Sequence, residues 1–344
     1  MDDPAARPPA APSFPVNWVR LPGITVQWAP GSAEGGGAAS PLPVALAIGI
    51  FDGVHRGHQA VLASARRAAE SASGRVLVLT FEPHPTRILR PEAPTRLLYD
   101  HDMKAARLFA HGVAAIIWKR FDAAFAARSA EDFVAALDEG FPTLHSVHVG
   151  ENFRFGQRRA GTPEVIRAGL AGRGVAVDAV PGLLYNGAPV SSTRLRAALA
   201  EGRLAEANAM LGAPYACRAP LVPGRQLGRS IGFPTFNLAY DPESRPAFGV
   251  YAVRTTGPGG TTRPAVANFG LRPTVEEAAP APLLEVHLLD SASPPAWHPG
   301  DTLTVEWLAF LRPEQRFPNL DALKTQITQD VAAATTLLEK GSNQ

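Results

Sequence analysis

The sequence predicts an α/β protein in two parts: a parallel sheet with helices, then an antiparallel β-barrel that ends in a helix. Up to about residue 212, short apolar runs alternate with amphipathic helical patterns, as they do in parallel sheets. From about residue 214 to residue 310, strand-like runs are separated by many Gly and Pro residues, which is typical of barrels. The length of 344 residues suits about two domains.

The first part is predicted element by element from its apolar runs. Short runs of this kind suit strands that are buried on both faces of a parallel sheet, joined by right-handed crossovers. The predicted strands are Leu42–Gly49, Arg75–Phe81, Val113–Trp118, His145–Val149 and Val175–Val180. The predicted helices are His58–Ser73, Asp102–His111, Ala130–Leu137, Ser192–Ala200 and Leu204–Leu211.

The second part is predicted from four strand-like runs and a final helix. The runs cover residues 249–256, 262–270, 283–290 and 302–311, and the helix covers Leu320–Leu338, with Asn319 or Asp321 near its start. We therefore expect domains at 42–212 and 213–344. Residues 1–41 are rich in Ala, Pro and Gly and are predicted to be a flexible extension.

Composition excludes several classes of protein. A net charge of +2 is too small to indicate a nucleic-acid or membrane surface. The single cysteine, Cys217, excludes a disulfide framework within the chain and favours the reducing cytoplasm. No apolar run is long enough to cross a bilayer, and the first residues lack the pattern of a secretory signal. We expect small-molecule partners, with no nucleic acid and no membrane.

The strongest chemical signal is GIFDGVHRGH, residues 49–58. His55 and His58 are three residues apart where a buried strand meets a helix, so both imidazoles lie on one face of the helix start. The free N–H groups and partial positive charge of a helix N-terminus favour phosphate. Two imidazoles there would stabilise the charge that builds as pyrophosphate leaves. The simpler alternative is that one histidine caps the helix and the other is exposed.

Three further segments support a ligand site in the first part. FEPHP (81–85) follows the second predicted strand, at the edge where ligands gather in open α/β sheets. GENFRFG (150–156) is either a ligand-binding turn or an aromatic turn packed on the core. SSTRLR (191–196) begins a helix, where Ser, Thr and Arg suit a triphosphate, although a plain N-cap also explains the Ser and Thr.

The second part has its own chemical centre. GRQLGRSIGFPTFN (224–237) is Gly-rich, so its backbone can approach phosphates closely, although it is not a Walker loop. Glu285 lies in an apolar run, where it shares a strand face with His287 and opposes Leu284 and Val286. A carboxylate on such a strand is costly unless it is paired or exposed at a site. The alternative is a solvent-facing Glu on an edge strand.

At this point the sequence resembles a known family. GIFDGVHRGH, TFEPHP, VGENFRFG and VSSTRLR occur in the order found in the FMN adenylyltransferase module of prokaryotic FAD synthetases, which has a Rossmann-like nucleotidylyltransferase fold. The resemblance implies that His55 and His58 are catalytic. It implies nucleotide or phosphate binding by Gly49, Phe51, Asp52, Gly57, Ser192, Thr193 and Arg196. It implies flavin binding by Pro83, His84, Pro85 and Asn152.

The GFPTxN ending resembles the riboflavin kinase signature, which belongs to the second domain of the same enzymes. The resemblance implies that Thr235 and Asn237 coordinate Mg²⁺, and that Glu285 is the general base for the ribityl 5′-hydroxyl. It implies phosphate binding by Gly228 and Gly232, and flavin binding by Asn268, Arg272 and Arg316. Over residues 44–338 the chain is thus similar to bifunctional enzymes that use ATP and Mg²⁺ to convert riboflavin to FMN and then to FAD.

The sequence departs from the family pattern near the ligand loops. Pro189 stands where relatives usually have Arg, so either Arg194 compensates or adenylyl transfer is weakened. Pro223, Gly224 and Arg225 replace His-Gly-Asp, Phe236 replaces Ala, and Trp297–Gly300 replaces Leu-Tyr-Gly. These departures leave open a paralogue with another flavin or nucleotide, or with one activity. A flavin-binding protein without catalysis is the third hypothesis, and the presence of His55, His58 and Glu285 argues against it.

Overall fold

The structure is a computed structural model that describes residues 23–30, 42–224, 228, 231–271, 281–290 and 295–341. The chain forms two compact units. The first contains residues up to Thr95 together with Ala105–Leu183, and the second contains Arg96–Lys104 and the chain from Leu184 onward. The domain boundary after residue 212 stays a prediction.

The first unit is built on a six-stranded sheet in which five neighbouring strands are parallel. The strand order is β1-β4-β3-β2-β5-β6. The bounds are β1 Ile24–Trp28, β2 Val44–Ile48, β3 Arg75–Glu82, β4 Ala115–Arg120, β5 Leu144–Gly150 and β6 Ala176–Val180. Every residue of β2 is buried, which agrees with the continuous apolar run from which it was predicted.

Helices cover both faces of this sheet. Their bounds are α1 Arg56–Ser71, α2 Thr86–Leu89, α3 His101–Ala110, α4 Ala123–Ala126, α5 Ala130–Gly140 and α6 Pro163–Leu170. Leu62 of α1 and Leu108 of α3 belong to the apolar cluster on one face. Leu137 of α5 and Ile166 of α6 belong to the cluster on the other face. The alternation of strands and helices therefore produces the predicted three-layer α/β arrangement.

Strand β1 corrects the prediction of a flexible extension over residues 1–41. Residues Ile24–Trp28 pair antiparallel with Trp118 and its neighbours in β4. The segment ITVQW alternates, and its apolar members Ile24, Val26 and Trp28 pack against the core. This period of two is sufficient for an edge strand, despite the Ala, Pro and Gly around it. Residues 1–22 and 31–41 lie outside the described part of the chain.

The second unit contains a closed antiparallel barrel with the strand order β10-β13-β12-β11-β14-β9. The barrel bounds are β9 Tyr215–Val222, β10 Phe236–Leu238, β11 Gly249–Thr256, β12 Thr262–Leu271, β13 Pro282–Leu288 and β14 Thr302–Pro313. The elements before it are β7 Leu184–Tyr185, β8 Ala188–Pro189, α7 Ser192–Ala200 and α8 Leu204–Leu211, and the element after it is α9 Leu320–Gly341. This confirms the barrel and its terminal helix.

Helices α8 and α9 both contact the barrel. Asn208 of α8 donates to the carbonyl of Trp307 and accepts from the backbone N–H of Tyr215, each at 2.8 Å. Helix α9 lies on the outside, where Ala334 packs against Val250 and Val266. The start of α9 is capped by Asn319, whose side chain accepts from the N–H of Ala322 at 2.8 Å.

The barrel interior contains several large aromatic side chains. Four of these side chains are at most 1% exposed: Tyr215, Tyr251, Phe269 and Trp307. The indole N–H of Trp307 donates to the thiol of Cys217 at 3.4 Å, and burial raises the pKa of that thiol to about 12. Cys217 is therefore a neutral core residue.

Candidate active sites

Three of the predicted ligand loops leave adjacent strands at one edge of the first unit's sheet. Strands β3, β2 and β5 are parallel neighbours, so their carboxyl ends point the same way. Segment 49–58 follows β2, segment 83–85 follows β3, and segment 151–156 follows β5. This is the edge at which open α/β sheets bind ligands.

The two histidines of the first loop stack on each other. Their ring centroids are 3.7 Å apart with an interplanar angle of 13°. His55 is the N-cap of α1, and its Nδ1 atom accepts from the backbone N–H of His58 at 3.3 Å. The first turn of α1 contains Gly57 and no acidic residue, so the positive end of the helix is not neutralised there. One histidine is thus a cap, as the alternative interpretation held, but the pair also presents two imidazoles at a helix N-terminus.

The loop before these histidines adopts an unusual backbone. Phe51, Gly53 and Val54 have φ angles of 54°, 83° and 42°, and positive φ costs on the order of 1–3 kcal/mol for each residue that is not glycine. The side chains of Phe51 and Val54 are nearly fully buried, which holds the loop in this conformation. Phe51 also meets His58 edge-on, with centroids 5.2 Å apart. The strain is therefore stored at the base of the histidine pair.

Two other predicted phosphate-binding residues, Gly49 and Asp52, belong to the same loop. A Cβ added to Gly49 would lie 3.2 Å from the Phe51 ring, so the absence of a side chain at Gly49 makes room for this ring. Asp52 is 5% exposed. Both residues lie between β2 and the histidine pair, where a phosphate at the start of α1 would be bound.

The EPHP loop is held by its histidine. The backbone N–H of Thr86 donates to His84 Nδ1 at 3.2 Å, and the Thr86 hydroxyl lies 2.9 Å from the same atom. Pro83, His84 and Pro85 are all half-buried. They form a short rigid turn between β3 and α2, beside the loop that carries the histidine pair.

The GENFRFG turn combines core packing with an exposed polar residue. Phe155 is 9% exposed and packs against Phe133 with ring centroids 5.1 Å apart, and Phe153 stacks on Phe155. Asn152 is exposed at the tip of the turn. The aromatic residues therefore anchor the turn on the core, and Asn152 is the member that is available to a ligand.

The SSTRLR segment belongs to the second unit and is described with it. Ser191 is the N-cap of α7, and its hydroxyl accepts from the backbone N–H of Arg194 at 3.2 Å. Ser192 and Thr193 are the first helical residues. Arg196 donates through Nε to the carbonyl of Arg96 at 2.6 Å. The cap is thus supplied by Ser191, so capping does not explain Ser192 or Thr193.

Arg194 is engaged in holding the hairpin β7–β8. Its guanidinium donates to the carbonyls of Tyr185 and Ala188 at 2.8 and 2.9 Å and forms an ion pair with Glu206 at 2.7 Å. Its side chain therefore stabilises the hairpin that ends at Pro189. The guanidinium N–H groups that would bind a phosphate are already engaged in these contacts. Arg194 does not provide a free replacement for the arginine that relatives usually have at position 189.

The second centre is a row of polar residues across the outside of the barrel. Glu285 on β13 is directly opposite Asn237 on β10 and Asn268 on β12. Its neighbours Leu284 and Val286 point into the core and are fully buried, whereas Glu285 and His287 are half-buried. This confirms the predicted face of Glu285. Cross-strand partners share one face of a sheet, so the three polar side chains project together.

Asn237 has the features of a ligand residue. It is 7% exposed, and its Oδ1 atom has no hydrogen-bond partner among the described residues. Gly224 lies directly against its amide, because an added Cβ would overlap Nδ2. Thr235 is exposed two residues earlier, so both oxygens lie at one end of the barrel. A buried amide oxygen without a partner is costly unless a ligand or metal completes it.

The Gly-rich turn before β10 is closed on itself. The backbone N–H of Phe233 donates to the carbonyl of Gly228 at 2.7 Å, and Gly232 has a φ angle of +91° that favours glycine. Arg225, Arg272 and Thr274 lie outside the described residues. Arg316 is exposed in the loop between β14 and α9.

Glu314 is a second carboxylate at this centre, and sequence reasoning missed it. Partial burial and the charge of Glu285 raise its pKa, while a hydrogen bond with Asn268 and the charge of Arg312 act against this shift. Gly270 makes room for it, because an added Cβ would overlap Glu314 Oε1. The only signal in the sequence was its position in RPEQRF, the segment in which Arg316 was selected instead.

Fold and sites together define a nucleotide-using transferase of two parts. A parallel sheet carries a histidine pair at a helix N-terminus, and a barrel carries a carboxylate beside a Gly-rich turn. No helix within the described ranges is long and apolar enough to cross a membrane.

Comparisons with known proteins assign the family. The FAD synthetase family matches residues 38–194, and the riboflavin kinase family matches residues 211–338. The bifunctional riboflavin kinase/FMN adenylyltransferase of Escherichia coli K12 is 39% identical over 84% of this chain and 91% of its own length. The Bacillus subtilis 168 protein of the same name is 32% identical over 83% and 89%. The chain belongs to this bifunctional family.

A solved structure supports the fold over most of the chain. The macrolide-efflux protein from Streptococcus pneumoniae is 28% identical and aligns with a TM-score of 0.77. The alignment covers 86% of this chain and 95% of that protein.

Proposed function

We propose that this chain converts riboflavin to FAD in two ATP-dependent steps. The barrel phosphorylates riboflavin to FMN, and the parallel-sheet unit transfers the adenylyl group of a second ATP to FMN. The proposal rests on one observation, which is that each unit has its own family motif. In the first unit the stacked His55–His58 pair lies at the start of α1. In the second unit Glu285 lies opposite Asn237 and Asn268.

In the kinase step, Glu285 removes the proton from the ribityl 5′-hydroxyl of riboflavin. The hydroxyl oxygen forms a bond to the γ-phosphorus of ATP, the bond to the β–γ bridging oxygen breaks, and ADP leaves. Phosphoryl transfer of this kind depends mainly on positioning and charge stabilisation. Asn268 lies opposite Glu285 and forms a hydrogen bond with Glu314, and this position beside the general base supports a role in orienting the flavin.

In the adenylyl step, a phosphate oxygen of FMN attacks the α-phosphorus of ATP, and pyrophosphate leaves. His55 and His58 stabilise the charge that builds on the phosphates at the positive end of α1. Ser192, Thr193 and Arg196 bind the triphosphate, and Pro83, His84, Pro85 and Asn152 contact the flavin. No residue of the protein becomes covalently attached in this scheme.

The residues of the barrel fit Mg²⁺. Asn237 Oδ1, which has no hydrogen-bond partner in the part of the chain that the structure describes, and the Thr235 hydroxyl are neutral oxygen donors. Such donors suit a hard cation that keeps several waters and binds phosphates. When bound there, Mg²⁺ would neutralise charge on the transferred phosphoryl group. We also place the reactions in the cytoplasm, because the chain has a single cysteine and consumes ATP.

The test is incubation of the full chain with riboflavin, ATP and Mg²⁺, followed by chromatography of the flavins. We expect FMN first and then FAD. FMN without FAD would reject the adenylyl half and point to Pro189, since Arg194 is committed to the hairpin. Absence of both products, with FMN and ATP also yielding no FAD, would reject the proposal. Preference for another nucleotide or a flavin analogue would favour a specialised paralogue.

A further inference from the structure

His287 connects the strand of Glu285 to the turn of Thr235. Its Nδ1 atom lies 2.9 Å from the carbonyl oxygen of Pro234. Its ring meets Phe233 edge-on, with centroids 5.5 Å apart. Both contacts are made to the GFPT turn, and His287 is on the same face of β13 as Glu285, two residues further along.

The direction of this hydrogen bond is set by its partner. A carbonyl oxygen can only accept, so Nδ1 carries the hydrogen and donates it to Pro234. The bond holds whether the ring is neutral, with its hydrogen on Nδ1, or protonated. Pro234 immediately precedes Thr235, and therefore the bond acts on the backbone that positions the Thr235 hydroxyl.

The hydrogen bonds between strands β10 and β13 do not position Thr235. Pairing between β10 and β13 covers Phe236, Asn237 and Leu238 and ends before Thr235. Within the turn, the Phe233 N–H bonds to Gly228, which closes the turn on itself and does not attach it to β13. The imidazole of His287 supplies an attachment just beyond the end of the ladder.

We propose that His287 is a positioning residue of the kinase site, which fixes Thr235 at a set distance from Glu285. The inference rests on the proposed kinase function. One strand carries both the general base and the anchor of the metal and phosphate turn. The general base and the turn are therefore both fixed to strand β13. The rate of phosphoryl transfer depends on such alignment of the reacting groups.

The test compares two variants of the full chain. His287→Leu removes the donor, whereas His287→Asn places an amide N–H near the position of Nδ1. Loss of a residue that orients a ligand-binding group typically costs about 10–100-fold in activity or metal affinity. We expect His287→Leu to lower kcat/KM for riboflavin phosphorylation by about tenfold or more and to raise the Mg²⁺ concentration at half-maximal rate. His287→Asn is expected to restore most of the loss.

Adenylylation of supplied FMN by the same preparations is the internal control and is expected to be unchanged. A His287→Leu protein with the parent's kinase rate and Mg²⁺ requirement would overturn the inference. So would a His287→Asn protein as impaired as His287→Leu, because the hydrogen bond would then not be the cause. If the parent itself forms no FMN, the proposed function fails, and calorimetric binding of Mg²⁺–ADP still decides the inference: equal affinity in parent and His287→Leu would overturn it.

Discussion

Phe236 and Trp297 pack against each other with ring centroids 5.1 Å apart and an interplanar angle of 56°. Each stands at a position where the sequence departs from the family pattern. Gly257 accommodates the indole, since a Cβ there would overlap the Trp297 ring. Phe236 alternates with Asn237 along β10, so its ring lies on the opposite face of the strand from Asn237. The two departing residues therefore contact each other, and the Phe236 ring is directed away from Asn237.

This contact predicts coupling between the two positions. In a double-mutant cycle of Phe236→Ala and Trp297→Ala, the free energies of unfolding should be non-additive by about 0.5–1.5 kcal/mol. Chemical denaturation of the parent, both single variants and the double variant measures it. Strict additivity would show that the rings do not stabilise each other.

The position of Glu285 predicts a selective loss of one activity. Glu285→Gln keeps the size of the side chain but removes the base, so riboflavin phosphorylation should fall by about 10²–10⁴-fold. Adenylylation of supplied FMN should persist. The matched control is Glu306→Gln, which alters another strand carboxylate of the barrel, one paired with Arg254 at 3.1 Å. Equal kinase rates in the two variants would remove Glu285 from the mechanism.

Because Gly224 lies against the Asn237 amide, one methyl group added at Gly224 should lower kinase activity. Gly224→Ala would overlap the Asn237 amide and displace its oxygen, and a misplacement of this kind can cost about 100-fold in rate. Kinase activity measured across a Mg²⁺ titration should be low and require more metal. Gly172→Ala is the control, because an added Cβ there meets nothing within 4 Å. Parent-like Mg²⁺ dependence in Gly224→Ala would contradict the assignment of Asn237.

A buried histidine in the first unit predicts a pH dependence of stability. His148 is 3% exposed, and its ring nitrogens lie 2.9 Å from the hydroxyls of Ser64 and Ser146. Burial lowers its pKa from 6.5 to about 4, opposed by Asp178 and reinforced by Arg67 and His145. As the pH falls below 6.5, the unfolded chain gains a proton that the folded state resists. The free energy of unfolding should therefore decrease down to about pH 4.

The size of this effect is about 3 kcal/mol for a shift of that magnitude. Urea denaturation of the parent and His148→Asn between pH 4 and pH 7 measures it, and the difference between the two curves should shrink as the pH is lowered. His298→Gln, which changes an exposed histidine of the second unit, should keep the parent's slope. A parent-like slope in His148→Asn would assign the pH dependence to other groups.

Local patterns explain why most elements were predictable. The predicted bounds of α7 and α8 agree with the structure, and the parallel strands differ by a few residues at their ends, because burial on both faces requires continuous apolar runs. Strands β9 and β10 were not predicted. Arg218 and Pro220 interrupt the apolar run of β9, and the three residues of β10, which follow a Gly-rich segment, are too few to show a period. The hairpin β7–β8 and its brace by Arg194 also escaped, because the guanidinium's partners are backbone carbonyls that any residue could supply.

The chemistry of the two centres could be predicted from the sequence alone, because specific motifs contain His55, His58, Thr235, Asn237 and Glu285. Only the tertiary structure decided which residues join them. Strand register puts Asn268 beside Glu285, and a loop brings Glu314 to the same place. A side-chain hydrogen bond joins His287 of β13 to Pro234 in the turn before β10. Such neighbours are distant along the chain, and side-chain proximity across strands depends on register and barrel closure, which no local pattern encodes.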